Sequence, residues 1–297
     1  MSLRELLDVS APAKLNLFLH VVGRRADGYH LLESLFVLID WCDTLHFERR
    51  DDDLLARHDL GEPLPENDLI LRAARALQTH TGCRFGADIS VLKRLPSGAG
   101  MGGGSSDAAS TLLALNRLWG LGLTRAQLQP IALTLGADVP FFVGGHNALV
   151  SGIGETLRPL PVPRQRFAVI KPAAGVATQE IFASAELKRD SQTVILPGFV
   201  ADDAMSRRLG DGFGRNDLQP VAELVCPDVV QALQWVQVQF GNSRMTGSGS
   251  AVFARIGMGD QPVATQSADQ SLLGLPAGWV GRICRSLDSH PLVDWAN

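Results

Sequence analysis

The hydrophobic and polar positions near the start of the chain alternate with the period of a β-strand. From Ala13 to Leu19 an apolar residue occupies every odd position, the spacing that places successive side chains on opposite faces of a sheet. This pattern predicts a half-buried strand over residues 10–22, with Lys14, Asn16 and His20 on one face. That face is either solvated or presents its amine and amide to a ligand.

Further along the chain, the patterns predict a mixture of helices and strands. Apolar residues at helical spacing predict one helix over residues 69–77, capped by Asn67 or Asp68, and another over 121–135, capped by Thr124. Pro130 should kink or divide the second of these. Other strands are expected over residues 31–39, 88–92, 148–151, 167–171, 251–256 and 279–285, other helices over 108–119, from 178 and over 228–240, and a loop over 201–214.

Five glycines lie in the stretch from Leu95 to Asp107, between a predicted strand and a predicted helix. Glycines allow positive φ and close approach to a ligand, and the helix N-terminus adds free N–H donors, so this stretch predicts a phosphate site. A Walker A loop is excluded because no Lys follows the last glycine, and a dinucleotide fingerprint is excluded because no acidic residue follows about 20 positions on. The alternative is a glycine-rich surface turn without a ligand.

Composition narrows the class of protein further. The 297 residues, 45% of them hydrophobic, suffice for about two domains, and the proline-rich residues 159–163 divide them into residues 1–158 and 159–297. The net charge of −4 gives no global attraction for nucleic acid or an acidic membrane. With four scattered cysteines, no signal peptide and no 18-residue apolar run, we expect reduced thiols and a cytoplasmic protein that contacts no membrane.

Two further positions carry candidate chemistry. Asp138 lies between a glycine and an X-Pro step in apolar surroundings, so it either caps a helix or acts on a cation or a hydroxyl. Tyr29, the single tyrosine of the chain, precedes His30 in a turn-rich loop. These two side chains either stack on a flat ligand and hydrogen-bond to it, or form a packed turn with an exposed His.

Three separated motifs resemble those of the GHMP kinase superfamily. They are Pro-Ala-Lys-Leu-Asn at residues 12–16, the glycine stretch at 96–106, and Met-Thr-Gly-Ser-Gly at 245–249. The loop at residues 23–30, the segment at 135–142 and Arg-Asn-Asp-Leu at 215–218 are similar to one branch of it, which phosphorylates a cytidine diphosphate-linked methylerythritol. The resemblance extends from about residue 12 to about residue 287.

The resemblance implies an α+β protein with the two-domain GHMP kinase fold. Its N-terminal ATP-binding domain would be like domain 2 of ribosomal protein S5, and its C-terminal domain ferredoxin-like. The cofactors would be ATP and Mg²⁺, the partner a small-molecule substrate rather than nucleic acid, and the protein a monomer or homodimer. The alternatives are a superfamily kinase for homoserine, mevalonate or another small alcohol, and a nucleotide-binding module without catalysis.

The resemblance also assigns roles to individual residues. Lys14 and Asp138 match the catalytic pair, in which Asp138 would accept or orient the proton of the C2 hydroxyl and Lys14 would hold that acid and the γ-phosphate. Tyr29 and Phe182 would flank the cytosine, with His30 at its edge and Asn16 and Thr178 nearby. The residues expected to bind ATP are Lys93, Pro96, Ser97, Gly98, Ala99, Gly100, Met101, Gly102, Gly103, Gly104, Ser105 and Ser106.

Overall fold

The computed structural model describes residues 3–193, 214–258 and 272–297; the loop expected over 201–214 therefore lies, except for Gly214, outside the described residues. The strands are β1 Glu5–Arg24, β2 His30–Arg50, β3 Leu55–Asp59, β4 Gly86–Leu92, β5 Ala148–Gly152, β6 Thr156–Pro159, β7 Gln165–Lys171, β8 Arg244–Met245, β9 Val252–Met258 and β10 Val280–Arg285. The helices are α1 Leu69–Thr81, α2 Gly103–Leu118, α3 Arg125–Leu135, α4 Val139–Gly144, α5 Thr178–Ala183, α6 Gln219–Val225 and α7 Pro227–Phe240, and a 3₁₀ turn spans Val293–Trp295.

These strands form two sheets. The first has the order β3-β4-β2-β5-β6, with the long strand β1 paired antiparallel to β2, and only β3 and β4 run parallel. The second is antiparallel in the order β10-β7-β9-β8. The first sheet ends at Pro159 and the second begins at Gln165, and the exact division after residue 158 stays a prediction.

Three hydrophobic clusters of the described residues stack these elements into four layers. One cluster packs helices α1 to α4 on the first sheet, and another packs α6 and α7 on the second. The middle cluster joins the two sheets, bringing Leu15 and Val37 of the first together with Phe167 and Phe253 of the second. The α+β class expected from the sequence is confirmed, and the two halves share a core.

Strand β1 differs from its prediction in one respect, because both of its faces are buried. Lys14 is 3% exposed, Asn16 1% and His20 7%, so the solvated-face interpretation of this strand is wrong. The second half of the chain covers that face. Thr246, for example, accepts a hydrogen bond from the Asn16 backbone at 2.9 Å.

Helix α3 runs through Pro130 as one element, so the proline does not divide it, whereas the expected kink stays a prediction. Because proline has no backbone N–H, the carbonyl of Ala126, four residues before Pro130, lacks its usual hydrogen-bond donor within the helix. Both Pro130 and Ala126 are exposed, so water can satisfy that carbonyl. The predicted cap is confirmed, since Thr124 and Gln127 form a reciprocal capping box. Within the described ranges, no helix has the length and apolar character needed to cross a membrane.

Candidate active site

The glycine stretch forms an open loop that leads into helix α2. Gly98, Gly100 and Gly102 adopt left-handed φ values of 61°, 69° and 72°, which residues with a Cβ rarely adopt. The loop and the first turn of α2 line a cavity of about 380 Å³, together with Lys93 and with Asp68, the cap of α1. Backbone N–H groups at a helix N-terminus favour an anion, so this cavity suits a polyphosphate.

A second glycine turn, formed by residues 245–250, packs directly behind this loop. A Cβ on Gly100 would lie 2.3 Å from the Thr246 carbonyl oxygen. The Ser250 N–H donates to the Gly98 carbonyl at 3.1 Å, and the Ala251 N–H donates to the Ala99 carbonyl at 3.2 Å. Residues 245–251 therefore support the shape of the glycine loop.

Asn216 in turn holds this second turn in place. Its side-chain amide donates to the carbonyls of Met245 and Gly247, each at 2.8 Å. Its neighbour Asp217 accepts hydrogen bonds from the Val21 N–H at 2.9 Å and from the Ser191 hydroxyl at 2.6 Å. The Arg-Asn-Asp-Leu motif therefore connects strand β1 to the turn behind the loop.

Lys14 and Asp138 meet where the loop passes strand β1. The Lys14 ammonium lies 3.5 Å from Oδ2 of Asp138, and the Lys14 backbone N–H donates to the Met101 carbonyl at 3.0 Å. Asp138 occupies the N-cap position of α4, but its side chain makes no capping hydrogen bond. Its carboxylate is one-third exposed, so it is available to a ligand as well as to Lys14.

A buried polar network fixes the Lys14 ammonium. Its Nζ donates to Oδ1 of Asn16 at 2.6 Å and lies 4.3 Å from the centre of the Phe36 ring. The Asn16 amide donates in turn to the Ser34 hydroxyl at 2.9 Å. An ammonium has three donors, so Asn16 and Asp138 leave one of them for a further acceptor.

Lys93 lines the first cavity, but its ammonium is held by two buried carboxylates. It pairs with Asp43 and, at 2.5 Å, with Asp107. Burial alone would lower the pKa of Lys93, but the charges and hydrogen bonds of Asp107 and Asp43 raise it above its usual value. Burial, with Asp43 adding to it, raises the pKa of Asp107 to about 7 against the opposing effect of Lys93.

Asp43 also fixes the start of the glycine loop. Its Oδ1 accepts hydrogen bonds from the backbone N–H groups of Arg94 and Leu95, at 2.5 Å and 2.8 Å. Sequence reasoning missed this residue, because one acid among several in an apolar strand carries no distinguishing pattern. Ser34 is likewise a polar residue in an apolar strand with no distinguishing pattern, whereas Thr246 lies within the Met-Thr-Gly-Ser-Gly motif at residues 245–249.

A second cavity of about 300 Å³ adjoins the first on the other side of the loop. Lys14, Asn16, Asp138, Thr178 and Phe182 all line it. The sequence had predicted these five residues as site residues, and the structure brings them together. Gly98, Gly100 and Gly102 line both cavities, so a ligand in either cavity lies beside the same loop.

The aromatic residues near this cavity are arranged differently from the expected pair of flanking rings. The His30 ring stacks on Phe182, with ring centres 4.9 Å apart and planes inclined by 29°. Tyr29 is 61% exposed and makes no ring contact within the described part of the chain. His30 therefore occupies a face of Phe182 in this conformation.

The fold and two family matches define the class of protein. Residues 68–146 match the N-terminal domain of the GHMP kinases, and residues 201–265 match their C-terminal region. A glycine-rich loop at a helix N-terminus, beside a Lys–Asp pair, is consistent with this class, which transfers a phosphoryl group from ATP.

Comparison with individual proteins narrows the class. The chain is 57% identical over 303 residues to the 4-diphosphocytidyl-2-C-methyl-D-erythritol kinase of Verminephrobacter eiseniae, covering 99% of each chain. It is also 57% identical over 296 residues to that of Methylibium petroleiphilum, covering 100% of each. A crystal structure of 4-(cytidine 5'-diphospho)-2C-methyl-D-erythritol kinase matches with a TM-score of 0.76 and 32% identity, covering 95% of this chain and 98% of that one. The chain belongs to the 4-diphosphocytidyl-2-C-methyl-D-erythritol kinase family.

Proposed function

We propose that this chain transfers the γ-phosphoryl group of ATP to the C2 hydroxyl of 4-diphosphocytidyl-2-C-methyl-D-erythritol. One observation carries the proposal. Two cavities share the glycine loop as a common wall, and Lys14 and Asp138 line the second cavity at that wall. A nucleotide in the first cavity and an alcohol in the second would meet at this pair.

The pair suits the chemistry of the transfer. The hydroxyl oxygen attacks the γ-phosphorus, the bond from that phosphorus to the bridging oxygen breaks, and ADP leaves with the bond's electron pair. Asp138 accepts the hydroxyl proton, or orients the hydroxyl while its proton passes to a phosphate oxygen. Lys14 holds the Asp138 carboxylate and neutralises charge on the γ-phosphate oxygens. Such a reaction depends on positioning and charge stabilisation more than on covalent work by the protein.

The glycine loop, residues 96–106, would hold the triphosphate through its backbone N–H groups, with Lys93 at the edge of the same cavity. Mg²⁺ would neutralise part of the phosphate charge when bound. The described residues contain no group of three or more His, Cys, Asp or Glu side chains able to hold a metal. This fits Mg²⁺, which is commonly bound through substrate phosphates, water and one or two carboxylates.

The cytidine end of the substrate would lie toward Phe182 and Thr178, with Tyr29, His30 and Asn16 completing the site. The Thr178 hydroxyl lies 2.7 Å from the Ser248 hydroxyl, which connects this end of the site to the second glycine turn. Aromatic rings offer a flat base a large contact area. A monomer or homodimer in the cytoplasm is part of the same proposal.

The test is coupled ADP release with purified protein, ATP and Mg²⁺, offered three alcohols in parallel. We expect turnover with 4-diphosphocytidyl-2-C-methyl-D-erythritol and formation of its 2-phosphate, and none with homoserine or mevalonate. Phosphorus NMR of the product distinguishes transfer to the alcohol from ATP hydrolysis. Turnover with homoserine or mevalonate but not with the cytidylated alcohol would overturn the proposal.

A further inference from the structure

Arg189 contacts the ring of His30, which lies beside Phe182 of the second cavity. Its Nε donates a hydrogen bond to Nε2 of His30 at 3.0 Å, and the His30 ring lies on Phe182, which lines that cavity. Nothing in the sequence distinguishes Arg189 from its basic neighbour Lys188.

Three backbone carbonyls hold the Arg189 guanidinium in one orientation. Its Nη2 donates to the Ser184 carbonyl at 2.7 Å and to the Phe182 carbonyl at 3.1 Å, and its Nη1 donates to the Leu187 carbonyl at 2.9 Å. These carbonyls lie at and just beyond the end of helix α5. The guanidinium is a planar fork that is always charged, so these bonds fix the direction in which its Nε–H points.

This contact determines where His30 carries its proton. An arginine N–H can only donate, so Nε2 of His30 must accept, and a neutral imidazole then carries its hydrogen on Nδ1. Two charged groups face the ring, Arg189 after α5 and Arg24 of β1. Burial first, and then these two charges, lower the pKa of His30 below its usual value, which favours the neutral ring.

The Nδ1–H is left for a ligand. Among the described residues, none accepts a hydrogen bond from Nδ1 of His30. A cytosine ring has two adjacent acceptors on one edge, N3 and O2. A donor held in a single tautomer beside Phe182 would complement that edge, whereas the other tautomer would present a lone pair to it.

We propose that Arg189 is a positioning residue for the substrate, holding His30 as an Nδ1–H donor to an acceptor atom of the cytosine ring. The proposal rests on the proposed function, because it takes the cytidine end of the substrate as the ligand. Arg189 itself touches neither the reacting atoms nor the base.

The test measures KM for 4-diphosphocytidyl-2-C-methyl-D-erythritol from about pH 5.5 to about pH 8.5 in wild type and Arg189→Met. Without Arg189, a neutral His30 divides between its two tautomers, and we expect KM to rise about fivefold at the alkaline end. Toward the acid end the imidazole of the variant, which lacks the charge of Arg189, takes up a proton more readily; both of its nitrogens then donate, and the KM ratio of variant to wild type should return toward one. A variant whose KM ratio is raised equally at every pH would contradict the proposal.

Two further variants separate this role from damage to the fold. Lys188→Met removes the neighbouring exposed cation and should leave KM and its pH dependence unchanged. In a His30→Ala background, Arg189→Met should raise KM no further, because its effect passes through the imidazole. An equal rise with and without His30 would overturn the proposal. Wild-type turnover of the cytidylated alcohol is read in the same assay, so failure of the proposed function is distinguishable from failure of this inference.

Discussion

Replacing Gly100 by Ala tests the close packing of the two glycine turns. The added Cβ would lie 2.3 Å from the Thr246 carbonyl oxygen and 2.9 Å from the Gly249 nitrogen. Reaching a tolerable 3.0 Å from that oxygen requires one backbone segment to move by about 0.7 Å, the difference between the two distances. Both neighbours are backbone atoms, so no side chain can rotate away.

The expected cost has two parts. A left-handed φ costs a residue with a Cβ about 1–2 kcal/mol, and Gly100 has a φ of 69°. Overpacking adds about 1–3 kcal/mol. We therefore expect Gly100→Ala to lower the free energy of unfolding by about 2–5 kcal/mol, measured by urea unfolding without nucleotide, and to raise KM for ATP.

Two matched variants isolate the steric part. Gly82, which follows helix α1, has a φ of 68°, and Gly98 a φ of 61°, and an added Cβ at either meets no atom within 4 Å. Gly82→Ala should lower the free energy of unfolding only by the cost of the left-handed φ, about 1–2 kcal/mol, and should leave KM for ATP unchanged. Gly98→Ala should cost as little stability but raise KM for ATP, because its methyl group enters the cavity. If Gly100→Ala were no less stable than Gly82→Ala, the packing of the two turns described above would be wrong.

Two more predictions concern ionisable groups. Asp138→Asn should lower kcat by about 10²–10⁴-fold with little change in the melting temperature, as coupled ADP release and thermal unfolding would show; unchanged turnover would rule out its role toward the hydroxyl. Burial lowers the pKa of His290 to about 3. Between that pKa and the pKa of about 6.5 that a histidine has in the unfolded chain, only the unfolded chain binds the proton. Stability should therefore fall as the pH drops below about 6.5, by about 1.4 kcal/mol per pH unit. In urea titrations at several pH values, His290→Gln should remove this contribution to the slope of the free energy of unfolding against pH. An unaltered slope would show that His290 is not buried in its neutral form in the folded protein.

Local signals in the sequence predicted most elements of the fold. The helix caps at Asp68 and Thr124 were predictable because a capping side chain bonds to backbone three residues on. Strands β6 and β8, of four and two residues, are too short to show a period. Pro130 shows the limit of a local rule, because the exposure of its face decides whether the helix tolerates it.

The site was predictable to the extent that it lies in motifs. Alternation placed Lys14 and Asn16 on one face of a strand, but nothing nearby indicated that the face is buried, since the covering Thr246 lies 230 positions away. The roles of Asp43 and Arg189 depend on partners brought close only by folding. The distance between a charge and its partner is a property of the tertiary structure, and no spacing in the chain encodes it.

The hydrogen bonds from Ser250 and Ala251 to the glycine loop also bear on when the protein becomes active during its synthesis. The loop is translated early, but its backing comes from residues near position 250 of 297. A nascent chain that stops before this point lacks the N–H groups that bond Gly98 and Ala99. We therefore expect a chain that ends before Ser250 to bind ATP more weakly than the full chain does.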